Sequence, residues 1–321
     1  MMPTSPISLR GFVAVVTDWL AEMAKEGPFS DKERAYFRKL VERYRFAYER
    51  ERKKRGRLEA RLEKQKRPLS ILVIPDGHAD LNDQFGEPND RFSLVGKLAA
   101  KRKPDVVIQL GDLGDFASLA VFDKPGSKAA STRSVLEDIE STRDAVQKLT
   151  VPIRSEQDYS PRLIMLDGNH EYRITRATTS DDRRWEGVIH PTDLGREDEG
   201  WEVFPYEVPV EIGGVCFSHN LSRPNARNPI AGKYMAATLI AEGGSAVVGH
   251  SHIWSHHEGR RWDGAKRFAL SAGCFFERDL EWAKGSNQAW WRGVVMLHDV
   301  WDGYATVEPI PLGRIGEEFG G

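Results

Sequence analysis

Five polar clusters punctuate this chain, and each follows a short apolar run. Ile71 to Pro75 leads into Asp76-Gly77-His78, Val106 to Leu110 into Gly111-Asp112, and Leu163 to Leu166 into Gly168-Asn169-His170-Glu171. Val215 to Phe217 precedes His219, and Ala246 to Val248 precedes Gly249-His250-Ser251-His252. Short, partly β-branched apolar runs bounded by Gly or Pro read as buried strands. Carboxylate, imidazole and carboxamide groups placed where such strands end can converge on one rim of a sheet, where a fold gathers oxygen and nitrogen ligands around metal ions. Five such strand ends in one chain point to a reaction, and not only to a fold.

This ordered set, D-x-H, G-D, G-N-H-[ED], a lone His and G-H-x-H, resembles the calcineurin-like metallophosphoesterase family over roughly residues 70 to 255. The resemblance implies an α/β fold, an α+β sandwich of four layers (α/β/β/α) with two mixed β-sheets. It also implies a metal-dependent phosphoesterase with two divalent metal ions. Carried over residue by residue, Asp76, His78 and His252 would hold the first metal. Asn169, His219 and His250 would hold the second, and Asp112 would bridge both. His170 would lie beside the metals, donate to a phosphate oxygen and protonate the leaving alkoxide. Glu171 is expected to orient a neighbouring His or backbone group, and Asp115 to support His170 or its loop. A shell of imidazoles and oxygens without thiolates suits manganese, iron, zinc, nickel or magnesium, with manganese the first expectation. Two such ions stabilise an in-line displacement at phosphorus.

The protein-phosphatase branch of the family usually carries Arg after the second Asp of G-D-x-x-D, to clamp a phosphomonoester dianion; here that residue is Phe116. The final block with two histidines resembles the phosphodiesterase and nuclease branch. A diester carries less negative charge than a monoester dianion, so a phosphodiesterase acting on nucleic acid or nucleotides is the leading expectation. A broad phosphomonoesterase is the alternative within the same chemistry. A non-catalytic nucleic-acid-binding or virion-associated protein that keeps the fold is the alternative of another class, and the complete ligand blocks weigh against it. Tyr172, Arg173, Arg176, Arg183, Arg184, Trp185, Trp282, Trp290, Trp291 and Arg292 could stack on bases or bind phosphates; core and rim packing is the plainer reading of the same residues. His190, His256, His257 and His298 fall in no pattern and read as ordinary residues.

Residues 1–67 differ from the remainder. Phe12, Val13, Val16, Leu20 and Met23 recur at helical spacing, and Gly27-Pro28 breaks that helix. Ser30 and Glu33 have capping-box spacing ahead of a second helix bearing Tyr36, Leu40 and Tyr44. From Arg50 to Arg67 there are ten basic residues against three acidic ones. Arg52, Lys53, Lys54, Arg55 and Arg57 at its heart are candidate nucleic-acid contacts, because clustered Lys and Arg neutralise phosphates. A solvated helix, or helices that drive self-association, are the competing readings. Such helical hairpins precede phosphoesterase domains in some phage and bacterial proteins. The expected division is thus a helical, partly basic arm over 1–67 and a catalytic domain over 68–321.

The chain has 321 residues, 40% hydrophobic and 29% charged, with a formal net charge of -2, ordinary for a globular protein without strong electrostatic bias. No apolar stretch approaches the ~20 residues of a membrane span, and the start lacks the pattern of a signal peptide. The cytoplasm of a bacterial or phage-infected cell is the expected location. Cys216 and Cys274 sit in strand-like runs and read as small core residues. Helices are expected over 90–102, 132–149, 172–185 and 230–242, with antiparallel strands after residue 245.

Overall fold

The computed structural model describes residues 67–80, 89–120, 134–179, 185, 187–223, 226, 228–277, 279 and 281–320. The expected N-terminal helices, with Arg52, Lys53, Lys54, Arg55 and Arg57, lie outside the described residues, as do Arg183 and Arg184.

Two mixed sheets form the frame. In the first, β1 (Leu69–Ile74), β2 (Val106–Gln109), β3 (Arg162–Leu166) and β4 (Glu202–Phe204) run parallel. β10 (Gly293–Trp301) and β11 (Tyr304–Pro311) add antiparallel beyond β1, giving the order β11-β10-β1-β2-β3-β4. The second sheet is built from β5 (Val210–Ile212), β6 (Val215–Ser218), β7 (Ala246–Val248), β8 (Trp254–Arg260) and β9 (Lys266–Ala272), in the order β5-β6-β7-β9-β8. Among the described residues five α-helices accompany them: α1 (Asp90–Arg102), α2 (Val135–Ser155), α3 (Tyr172–Thr179), α4 (Met235–Gly243) and α5 (Leu312–Phe319).

Strand alternation shows how the layers stack. Leu72, Ile74, Val107 and Met165 share a cluster with Phe92, Val95 and Leu98 of α1, Val146 and Leu149 of α2, and Ile315 of α5. Side chains alternate across a strand, so Ile71, Val73 and Ile108 point to the opposite face, and all three are fully buried. The second sheet repeats this: Ala246, Val248 and Ala269 pack on Met235 and Leu239 of α4, while Val247, Phe268 and Leu270 are buried on the other side. Each sheet thus has one helix-covered face and one buried face free of these helices, and the two free faces close on each other. The Gly303 N–H donates to the Gly213 carbonyl at 2.8 Å, tying the β10–β11 turn to the second sheet. The result is the expected α/β/β/α sandwich.

Several local expectations change. β7 is not part of an antiparallel set: it pairs parallel with both β6 and β9, because α4 carries the chain across between β6 and β7. α2 continues past Leu149 through Pro152. The proline removes one helical hydrogen bond, but buried Leu149 and Ile153 extend the apolar stripe on both sides of it. α4 starts at Met235, five residues later than its apolar pattern suggested. α5 was not anticipated; Gly313 and Gly316 lower its helix propensity, and burial of Leu312 and Ile315 holds it. β4 and β5 are three residues each, too short to show a period. Both cysteines are free thiols, with Cys274 fully buried.

Candidate metal centre

All five polar clusters meet where β1, β2, β3, β6 and β7 end. Asp76, His78 and His252 offer ligand atoms within 4.8 Å of one another; so do Asp112, His219 and His250, and so do His78, Asp115 and His170. Asn169, the seventh expected ligand, places Oδ1 3.0 Å from His219 Nε2. His78 Nε2 lies 3.3 Å from His252 Nε2, which is 3.1 Å from Asp76 Oδ2. On the other side His250 Nδ1 lies 3.2 Å from His219 Nε2, itself 3.4 Å from Asp112 Oδ2.

The chain reaches this arrangement through unusual backbone. His78, Asp112, His250 and His252 have φ of 43°, 51°, 65° and 58°. This left-handed region crowds Cβ against the carbonyl and costs about 1 kcal/mol or more per residue. Four of the seven expected ligands carry that cost, a concentration typical of functional sites. Close approach explains two of the flanking glycines: a Cβ at Gly168 would collide with Asp112 Oδ1, and one at Gly249 with Asp76 Oδ1.

Hydrogen bonds tie the loops together. The Gly77 and His78 N–H groups donate to the Asp112 carbonyl at 2.8 and 2.9 Å. The His250 N–H donates to Asp76 Oδ1 at 2.9 Å, and the His170 N–H to Asp112 Oδ1 at 2.9 Å. Glu171 accepts from the backbone N–H groups of Asp112, Gly114 and Gly168 at 2.9, 3.0 and 2.8 Å. It is therefore a brace between the second and third clusters. Asp115 Oδ1 lies 3.1 Å from His78 Nδ1 and 3.3 Å from His170 Nδ1, so one carboxylate fixes both rings. His219 Nδ1 faces the Leu110 carbonyl at 3.0 Å. In His78 and His219 the outward nitrogen is thus occupied and Nε2 is left facing the cluster, the usual way an imidazole ligand is oriented.

Electrostatics separate the two sides. Burial, helped by the nearby His170, pushes the His78 pKa down to about 4. Burial opposes charge on His219 as well, but Asp112 outweighs it and raises that pKa to about 9. Burial also works against the charge of Asp112, yet His170 and His219 hold this carboxyl well below its ordinary range. Asp115 is held low against burial by its hydrogen bonds to His170 and His78. On His170 burial opposes a proton, the Asp112 and Asp115 carboxylates outweigh it, and Arg173 resists them. Two ionised carboxylates and four imidazoles, with ring nitrogens paired at 3.2–3.3 Å, need positive charge between them. In the free protein a proton on His219 supplies part of it. Divalent cations with oxygen and imidazole preferences fit this donor set.

Residues outside the five clusters complete the site. Arg91 of α1 donates through Nη2 to the Gly77 carbonyl at 2.7 Å and through Nε to the Phe275 carbonyl at 3.0 Å, holding the first loop. Buried Arg196 pairs with Asp167 at 2.5 Å beneath the third cluster. Neither had a sequence signal, since isolated arginines carry no pattern. Trp290 stacks edge-on against His252 with centroids 4.5 Å apart and also meets Phe276; it is a wall of the site. Trp291 pairs with Trp254, and Trp185 packs on the Phe116 cluster, so these rings follow the packing reading. His298 pairs with Glu308 and His190 bonds Thr192, both away from the centre.

The calcineurin-like phosphoesterase family model matches residues 69–314. Solved structures with similarity include a dimetal phosphatase from Danio rerio, 11% identical, covering 77% of this chain and 97% of that one with a TM-score of 0.31. Another is the purple acid phosphatase PPD1 from yellow lupin (Lupinus luteus) seeds, 13% identical, covering 78% of this chain and 52% of that one with a TM-score of 0.38. No curated protein matches the chain. Among the described residues, no helix is long and apolar enough to cross a membrane.

Proposed function

This chain belongs to the calcineurin-like phosphoesterase family, and we propose that it hydrolyses phosphodiester bonds of nucleic acid or nucleotides at a dinuclear metal centre. The observation that carries the reading is the convergence of Asp76, His78 and His252 beside Asp112, His219 and His250 on one rim. These residues, with Asn169, would hold two divalent ions, with Asp112 shared. Bound there, the ions would act as Lewis acids toward a phosphoryl oxygen.

The protein's own groups do the rest. His170, buried at 7% exposure and held by Asp115, has Nε2 3.7 Å from Asp112 Oδ2. Nε2 accepts from Arg173 Nη2 at 2.9 Å; a proton taken up on Nε2 once that bond is released would be placed for transfer to a leaving alkoxide. Glu171 keeps the Asp112 and Asn169 loops in register through its three backbone bonds. Diester preference is supported by Phe116, which turns its ring fully into the core where the protein-phosphatase branch has an arginine. The basic run Arg50 to Arg67 supports a polymeric substrate.

The test is turnover of bis-p-nitrophenyl phosphate against p-nitrophenyl phosphate by the manganese-loaded protein. The diester should be hydrolysed faster. A faster monoester would make the protein a phosphatase, and no turnover of either would remove the enzymatic reading.

A further inference from the structure

The geometry points to Arg173 as the group that grips the substrate phosphate, taking over from α3 the positive charge that position 116 lacks. This rests on the phosphoesterase reading and names the residue that reads its substrate. Phe116 itself, with φ 46° and no exposed surface, packs among Val135, Ile139, Ile174 and Leu194. Its backbone, however, is where the guanidinium of Arg173 sits. Arg173 Nη1 donates to the Asp115 carbonyl at 3.0 Å and to the Phe116 carbonyl at 3.2 Å. Arg173 Nη2 lies 2.9 Å from His170 Nε2, and that nitrogen is 3.7 Å from Asp112 Oδ2. The charge therefore stands at the edge of the candidate ligand cluster, anchored on the residues that would otherwise have flanked it.

The partners of Arg173 divide its donors by task. A guanidinium has five N–H donors in a rigid fork and no acceptor. Nη1 is committed to two carbonyls and fixes the plane. Among the described residues Nη2 has an imidazole nitrogen as its acceptor, and a charged phosphate oxygen makes a stronger, shorter bond to a guanidinium. An arriving phosphate can take Nη2 without disturbing the Nη1 anchor. One guanidinium supplies one positive charge to a bound phosphate, so the side chain supports capture of a diester or a monoester alike. Sequence alone set Arg173 among a group of loop charges; only the fold of α3 against the Asp115 loop singles it out.

The full-length chain, loaded with manganese, tests this in wild type, Arg173→Met and Arg173→Lys. Inorganic phosphate is titrated by calorimetry, with metal content measured on the same samples, and KM and kcat are measured for bis-p-nitrophenyl phosphate. Arg173→Met should keep its metals and bind phosphate roughly 10- to 100-fold more weakly, the worth of one charge-assisted hydrogen bond. Its KM should rise by more than kcat falls, and millimolar guanidinium should restore part of the affinity. Arg173→Lys should lie between the two. Phosphate affinity within twofold of wild type in metal-replete Arg173→Met overturns the inference. So does loss of metal from both variants, which would make Arg173 a strut of the Asp115 loop. Arg173-dependent phosphate binding in a wild type that hydrolyses neither ester would sink the proposed activity and leave this assignment standing.

Discussion

The two sides of the candidate centre are built to different plans. Asp76, His78 and His252 are sealed, none more than 4% exposed, and Phe276 and Trp290 close rings over them. On the other side Asn169 and His250 are half-buried. Tyr206 stands beyond His219 at 6.3 Å between centroids, followed by Tyr172, which is 44% exposed. Their resting charges differ in the same sense: His78 is kept neutral and His219 is kept protonated. The sealed side is ready for a cation and shielded from solvent. The open side must exchange a proton for its cation. Aromatic packing thus prepares one ligand set and carboxylate charge the other.

The largest expected effect comes from erasing the boundary between the sides. Asp112→Ala should lose both metals and reduce diester turnover to background, because its carboxylate is the proposed shared ligand. Elemental analysis and a chromogenic assay check this; one metal retained at full affinity would assign Asp112 to a single side. Next, His170→Ala should keep both metals and lower kcat about 10²–10⁴-fold on an alkyl diester. The loss should be smaller on p-nitrophenyl esters, whose leaving group needs little protonation. Metal loss equal to that of Asp112→Ala would show His170 to be a ligand instead.

A pH series sharpens the contrast further. The His219 pKa is raised, so its proton stabilises the metal-free fold fully below about 6.5, and that contribution disappears as pH climbs through about 9. A cation on that side must displace the proton, so its affinity should rise about tenfold per pH unit between about 6.5 and 9. The sealed side should stay nearly flat over that range, since His78 sheds its proton at about 4. Calorimetric manganese titrations at three pH values read both slopes, and equal slopes would contradict the distinction. The smallest effect belongs to the brace common to both. Glu171→Gln replaces an oxygen that accepts from backbone N–H groups with a donor and should cost about 1–3 kcal/mol in denaturant unfolding. An unchanged midpoint would show that its three bonds contribute nothing net.

How much of this could be read from the sequence depends on what kind of signal each part leaves. The five strand ends were legible because each joins an apolar run to a Gly-flanked polar group, two patterns that coincide. The parallel course of β7 was not, because pairing direction is set by the α4 crossover. α5 was hidden by its glycines and α2's full length by Pro152, both cases where tertiary burial overrides local preference. In the site, the family resemblance supplied the candidate ligands, but not the double contact of Asp115 with His78 and His170. Arg91 and Arg196 act through backbone carbonyls and a partly buried carboxylate distant in sequence, so no spacing announces them.

The most direct test of a two-sided metal centre is elemental analysis of the manganese-loaded protein beside its His252→Ala variant. Two metals per wild-type chain and one per variant chain, the survivor showing the steep pH dependence of the His219 side, is the predicted result. Background metal in the wild type would contradict the account outright. A variant that keeps two, or whose remaining ion ignores pH, would show that the sealed and open sides are not separate sites.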